Sequence, residues 1–172
     1  DEKEKLKKGI VSPHLFPWAC ILDPELTLGL PQPMTAATGM DALIHAVEAY
    51  TSRNANSFSD MLAEKAISLV YKNICKAYAD GDNIEARSNM LEGSLLAGMA
   101  FANAGVTAVH AFAYPIGAEF HIPHGMANSI MLVPVMKFNL LGNMEKFAKI
   151  AALFGQRTRQ LNQREAAESM VS

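Results

Sequence analysis

At 172 residues the chain is long enough for one domain with a real hydrophobic core. Half of its residues are hydrophobic and 19% are charged, a balance that excludes intrinsic disorder and a fibrous architecture. Fifteen basic and seventeen acidic side chains leave a formal charge of −2, so neither nucleic acid nor a membrane surface is an expected partner.

The opening DEKEKLKK (Asp1 to Lys8) is too charged to form the apolar centre of a signal peptide. Every later apolar run is interrupted by Pro, His, Gly or a charge before it could cross a bilayer. Only two cysteines occur, Cys20 and Cys75, both in apolar stretches, where Cys75 reads as a small buried hydrophobe. A cytoplasmic, reducing location is the expectation.

Residues 1–34 read as a leader and junction. Within them FPWACILDP (Phe16 to Pro24) is the single strand candidate. From 35 onward the pattern is helical. A first helix is predicted over Thr35 to Thr51, with Leu43, Ala46, Val47 and Tyr50 on its buried face. A second runs from a cap at Ser57 or Ser59 to Tyr78, with Leu62, Ala66, Leu69, Val70 and Ile74 as its stripe. The turn ADGDN (Ala79 to Asn83) separates it from a third, Ile84 to Ala104, whose Gly93 and Gly98 imply close packing. A further helix is expected to end at Pro115, followed by a loop with Gly117 and Pro123 and another helix from His124. Met144 to Ser172 gives two amphipathic pieces divided near Gly155. Methionines such as Met99, Met126, Met131 and Met136 read as core filler. The fold class is therefore mainly α, a helical bundle-like domain over 35–172 with at most a short strand remnant before it. The absence of an initiator Met, and an end at Arg164 to Ser172 that looks helical, suggest a piece of a larger polypeptide, incomplete at its C-terminus.

Asp41 and His45 stand four apart on the first predicted helix, so both can reach one ion. With this composition roughly one acid–histidine pair at that offset arises by accident, and taken alone the pair is better explained as a solvated helix pair or a structural hydrogen bond. His110, His121 and His124 fall within fifteen residues that are otherwise apolar or small. An inward imidazole among Ala108, Val109, Ala111 and Phe112 needs a partner, whether an ion or a backbone carbonyl. His124, between Pro123 and Gly125, can present its ring from a helix start. His121 reads better as a loop histidine. One carboxylate and three imidazoles suit Fe2+ or Zn2+ better than Ca2+ or Mg2+, and an ion with an open position can act as a Lewis acid. No G-x-G, Walker loop or Ser–His–Asp order appears.

Two long stretches resemble the iron-containing, group III alcohol dehydrogenases: PMTAATGMDALIHAVEAY (Pro33 to Tyr50) and GMAFANAGVTAVHAFAYPIGAEFHIPHGMANSIMLVPVMKFN (Gly98 to Asn139). ILDPELTLGLP (Ile21 to Pro31) matches more loosely. The resemblance implies a two-domain enzyme whose N-terminal α/β domain binds NAD or NADP, with a helical, dehydroquinate synthase-like domain holding the metal. This chain corresponds to the helical part, without the nucleotide-binding domain. Carried over by position, the ligands fall on Asp41, His45, His110 and His124, while His121 is not a ligand. A histidine credited with proton relay in many members is replaced by Tyr114, and a phenol, with an ordinary pKa near 10, is a less ready shuttle at neutral pH. Phe101 matches an aromatic that walls the substrate pocket, though core packing explains it as well. The implied partners are an alcohol or aldehyde and a second copy of the chain, a dimer being favoured. Two rival readings stand beside this: a non-catalytic helical module for metal binding and oligomerisation, and a helical metallohydrolase using Glu48 or Glu119 as base, though neither lies in an H-E-x-x-H arrangement.

Overall fold

The computed structural model describes residues 12–171. The charged opening, Asp1 to Lys8, lies outside the described residues, as does Ser172. Seven α-helices follow one another: α1 (Gln32–Thr51), α2 (Ser57–Ala79), α3 (Ile84–Ala104), α4 (Ala108–Glu119), α5 (His124–Asn139), α6 (Met144–Leu153) and α7 (Gln163–Glu168), with short 3-10 turns at Pro13–Leu15, Pro24–Thr27 and Leu140–Gly142. Among the described residues there is no strand, and no single helix is long and apolar enough to cross a membrane.

The centre of the bundle is α1, which packs against α2, α3 and α5. All four residues of its predicted stripe are buried, together with Ile44 and Ala49. Asn56, rather than Ser57 or Ser59, caps α2: its side chain accepts from the Phe58 and Ser59 amides, and the Ser59 hydroxyl accepts from the Asn56 amide in return. The α3 bounds match the expectation. A Cβ on Gly93 would lie 2.6 Å from Val70 Cγ2, so close packing holds there, whereas Gly98 has nothing within 4 Å. At the end of α3, Gly105 adopts φ 76° and lets the chain turn through 106° into α4.

Three expectations differ. Phe16 to Asp23 is neither a strand nor buried: Trp18 and Ile21 stand fully in solvent, and with no described strand beside it the segment has no ladder to join. Second, α4 continues through Pro115 to Glu119, taking in Gly117. Its buried face is Val109, His110, Ala113 and Gly117, so the proline ring is on the solvent side, where water can satisfy the carbonyl that loses its amide partner. Third, α7 ends at Glu168 rather than running to the last residue.

Some burial readings also change. Cys75 is exposed, because the face of α2 turned inward is set by Ala66, Ile67, Val70, Asn73 and Ala77. Met136 is wholly buried, but Met99 and Met126 are exposed.

Candidate metal centre

Helix periodicity places Asp41, His45 and Glu48 along one face of α1, at positions i, i+4 and i+7. That face meets the start of α4, which brings His110, and the start of α5, which brings His124. The junction with α5 is very close: a Cβ on Gly125 would lie 2.0 Å from the Ala37 carbonyl oxygen, so only glycine allows the two backbones to approach this near.

Asp41, His110 and His124 each offer one ligand atom, and the three atoms lie within 4.8 Å of one another. Asp41 Oδ1 is 3.5 Å from His110 Nε2 and 3.6 Å from His124 Nε2. His45 is beside this group but not in it. Its ring is stacked between Phe101 (4.6 Å, centroid to centroid) and His110 (4.4 Å), with Nδ1 4.0 Å from Asp41 Oδ2. Tyr114 stacks on His124 at 5.5 Å and meets His110 edge-on at 6.2 Å. His121 is exposed in the loop before α5, with a left-handed backbone of φ 53°. Glu119 is exposed at the end of α4.

Glu48, by sequence a candidate hydrolytic base, has a different place. It is completely buried. Its Oε1 accepts from the Thr107 amide (3.1 Å), the Thr107 hydroxyl (2.5 Å) and the Val109 amide (2.8 Å), while Oε2 faces His110 Nδ1 at 2.5 Å. A carboxylate so occupied and so far from solvent cannot serve a metal-held water. Asn128 was not singled out from the sequence either, although it lies four residues after His124 on the same helix face. Its Nδ2 donates to Asp41 Oδ1 at 2.6 Å and sits 3.1 Å from both His110 Nε2 and His124 Nε2.

This arrangement is the test of whether an ion fits. One carboxylate oxygen and two imidazole nitrogens converge on a single point, and the group found there is an amide NH2, which can only donate. It stands where a cation would satisfy the same three acceptors. The position is a compromise for Asn128, since its buried Oδ1 has no hydrogen-bond partner among the described residues. The donor set fits a first-row divalent ion. Asp41, His45 and His124 keep side-chain exposures of 22, 21 and 32%, so the point of convergence is open on one side, whereas His110 behind it is 1% exposed.

The electrostatics agree. Burial alone would lower the His110 pKa, but hydrogen bonds to Asp41 and Glu48, and their charges, outweigh it and push the group up to about 9. Burial would raise the Asp41 and Glu48 carboxyls, yet both are held below their ordinary values, Asp41 by His110, His45 and Asn128, Glu48 by His110, Thr107 and Val109. His45 is pushed down by burial, only partly offset by Asp41. His110 Nε2 thus faces two opposed neighbours: Asp41, which favours a proton there, and the Asn128 amide, which favours a lone pair.

A helical bundle presenting a carboxylate and histidines around one open point belongs to the class of α-helical metal-binding domains. Comparison with known proteins makes this specific. The model of the Fe-containing alcohol dehydrogenase family, C-terminal, matches residues 35–172, and the chain belongs to that family. It is 51% identical over 169 residues to a 1,3-propanediol dehydrogenase of Citrobacter freundii, covering 98% of this chain and 44% of that protein. It is similar to the crystal structure of a 1,3-propanediol oxidoreductase, with a TM-score of 0.85 and 49% identity over 87% of this chain and 39% of the other. An archaeal halo-thermophilic Red Sea brine pool alcohol dehydrogenase gives a TM-score of 0.91 at 31% identity, over 99% of this chain and 43% of the other. The chain spans less than half the length of these relatives.

Proposed function

We propose that this chain is the metal-binding catalytic part of an NAD(P)-dependent alcohol dehydrogenase, which interconverts alcohols with aldehydes or ketones. Residues 35–172 form the metal-binding domain, residues 1–34 the junction, and the dinucleotide is gripped outside these 172 residues. Asp41, His110 and His124 would hold Fe2+, with the adjacent His45 as the fourth ligand that the family resemblance implies and Zn2+ as the other ion the donor set accepts. A bound ion would supply Lewis acidity toward the substrate oxygen, and a nicotinamide the capacity to accept or donate hydride. The remaining roles within this domain fall to its own side chains.

Asp41 supplies the negative charge that makes the site favour a cation. Glu48 and the α4 backbone hold the His110 ring in place, and Phe101 braces His45 by stacking while walling the approach to the open side. Tyr114, stacked on His124 and 41% exposed, is the group we assign to passing a proton between substrate and water, its stacking and exposure supporting the assignment. Exposed apolar side chains favour association with a second copy, a dimer, and the free, exposed cysteines suit a cytoplasmic location. The alcohol-active names of the relatives support the substrate class.

The observation that carries this reading is the convergence of Asp41, His110 and His124 upon one donor. Elemental analysis tests it. The purified chain should take up one divalent ion per molecule, and His110→Ala should reduce that to background. Metal content unchanged by the substitution would overturn the ligand set. The chain alone, given propanediol and NAD or NADP, should show no sustained hydride transfer. Robust turnover would mean that the dinucleotide site lies within these residues.

A further inference from the structure

Glu48 is fixed in two ways at once. It lies on the same face of α1 as Asp41 and His45, and its carboxylate is pressed against the first turn of α4. That helix has no capping hydrogen bond from its own preceding residue, Thr107. Glu48 provides the cap from another helix, because Oε1 takes the Thr107 and Val109 amides and the Thr107 hydroxyl. With Oε1 filled by donors, Oε2 is left for His110 Nδ1. A carboxylate can only accept, so Nδ1 must be the nitrogen that carries the proton. The Asn128 Nδ2, 3.1 Å from Nε2, keeps one hydrogen to donate after its bond to Asp41, and in the neutral ring Nε2 is the nitrogen left to accept it.

We propose that Glu48 is a positioning residue that holds His110 in its Nδ1–H tautomer, so that the Nε2 lone pair is presented to the point shared with Asp41 and His124. The inference rests on the metal-site reading for its purpose but not for its geometry. Capping and tautomer selection share one carboxylate: the Thr107 and Val109 backbone amides on Oε1 set the orientation in which Oε2 reads the ring. A group acting through a ligand's far nitrogen in this way typically governs metal affinity by 10–100-fold.

Glu48→Gln separates this role from packing. The amide is nearly the same shape, and its oxygen must still face the α4 amides, which turns its NH2 toward His110 Nδ1. That nitrogen then has to accept, the proton moves to Nε2, and the lone pair is lost to the ion. Zinc affinity, measured by competition with a chelator, should fall about 10–100-fold. Thr107→Val is the control: it removes one capping bond while leaving Oε2 on Nδ1, so thermal stability should drop and zinc affinity should not. If both variants lose affinity to the same extent, or Glu48→Gln keeps full affinity, the proposal is wrong. Nitrogen-15 NMR of the unsubstituted chain, free of metal at about pH 10 where imidazoles are neutral, reads the tautomer directly and needs no variant to fold. Nδ1–H is expected for His110, and Nε2–H would overturn the inference. A chain with the Nδ1–H tautomer that binds no zinc would keep the Glu48 assignment and sink the metal reading instead.

Discussion

The proton of His110 governs this site. Because the folded group titrates near 9, above its ordinary 6.5, its contacts with Asp41 and Glu48 stabilise the metal-free chain fully below pH 6.5, and that contribution is lost as pH rises through about 9. With His110 in the proposed ligand set, an ion needs the Nε2 lone pair, so binding should expel the proton and affinity should climb over the window in which metal-free stability declines. Calorimetric zinc titration at about pH 7.5, in two buffers of unlike ionisation enthalpy, should read close to one proton released per ion. No release would mean that His110 is neutral at that pH and that the two carboxylates do not hold it charged. Asp41 and His45 were legible as an i, i+4 pair, and His110 and His124 from their apolar surroundings together with the family resemblance. The place of Glu48 was not, since helix period puts it on the Asp41 face but its partner lies 59 residues farther along the chain. Asn128 carried a local sign, the four-residue step from His124, with no chemistry in its residue type to single it out.

Among the elements, the contact between α1 and α5 decides whether His124 can share an ion with Asp41. Gly125→Ala would put a methyl group 2.0 Å from a backbone oxygen, which cannot rotate away. The helices must separate, at a cost of about 3 kcal/mol, and His124 is carried from the point of convergence. Urea unfolding and zinc competition should therefore both report a loss. Gly98→Ala, with nothing within 4 Å of the added carbon, should be neutral or stabilise α3 by about 0.5–1 kcal/mol. An equal loss from both would show that helix α5 is not seated on α1 as described. The extents of α2 and α3 were legible because apolar period, caps and the turn at Ala79 to Asn83 agreed. Pro115 misled because an interior proline, which loses a hydrogen bond and clashes with the carbonyl four residues back, can kink a helix without ending it, and the side it faces, here solvent, depends on tertiary packing. Phe16 to Pro24 misled for the converse reason: an apolar run becomes a strand only beside another.

For the molecule as a whole, the feature that packing within the bundle leaves unused is its exposed apolar surface. Leu15, Phe16, Trp18, Ile21 and Leu26 are exposed before α1, and Phe138 and Leu141 at the end of α5 and just after it. Scattered apolar residues are ordinary on a surface, but several in one short segment mark it as the place where the proposed dimer would form. Trp18 is the only tryptophan and is fully exposed, so its fluorescence reports on this segment alone. In dilute solution its emission should match indole in water. As concentration rises, the emission should move to shorter wavelength in step with a dimer in sedimentation velocity, because covering Trp18 removes its water. Trp18→Ala should then weaken the dimer while leaving helicity and zinc uptake unchanged, since the residue touches neither core nor site. A dimer that forms without moving the emission would place the contact at Phe138 and Leu141, and a chain that stays monomeric at every concentration would remove self-association from the reading.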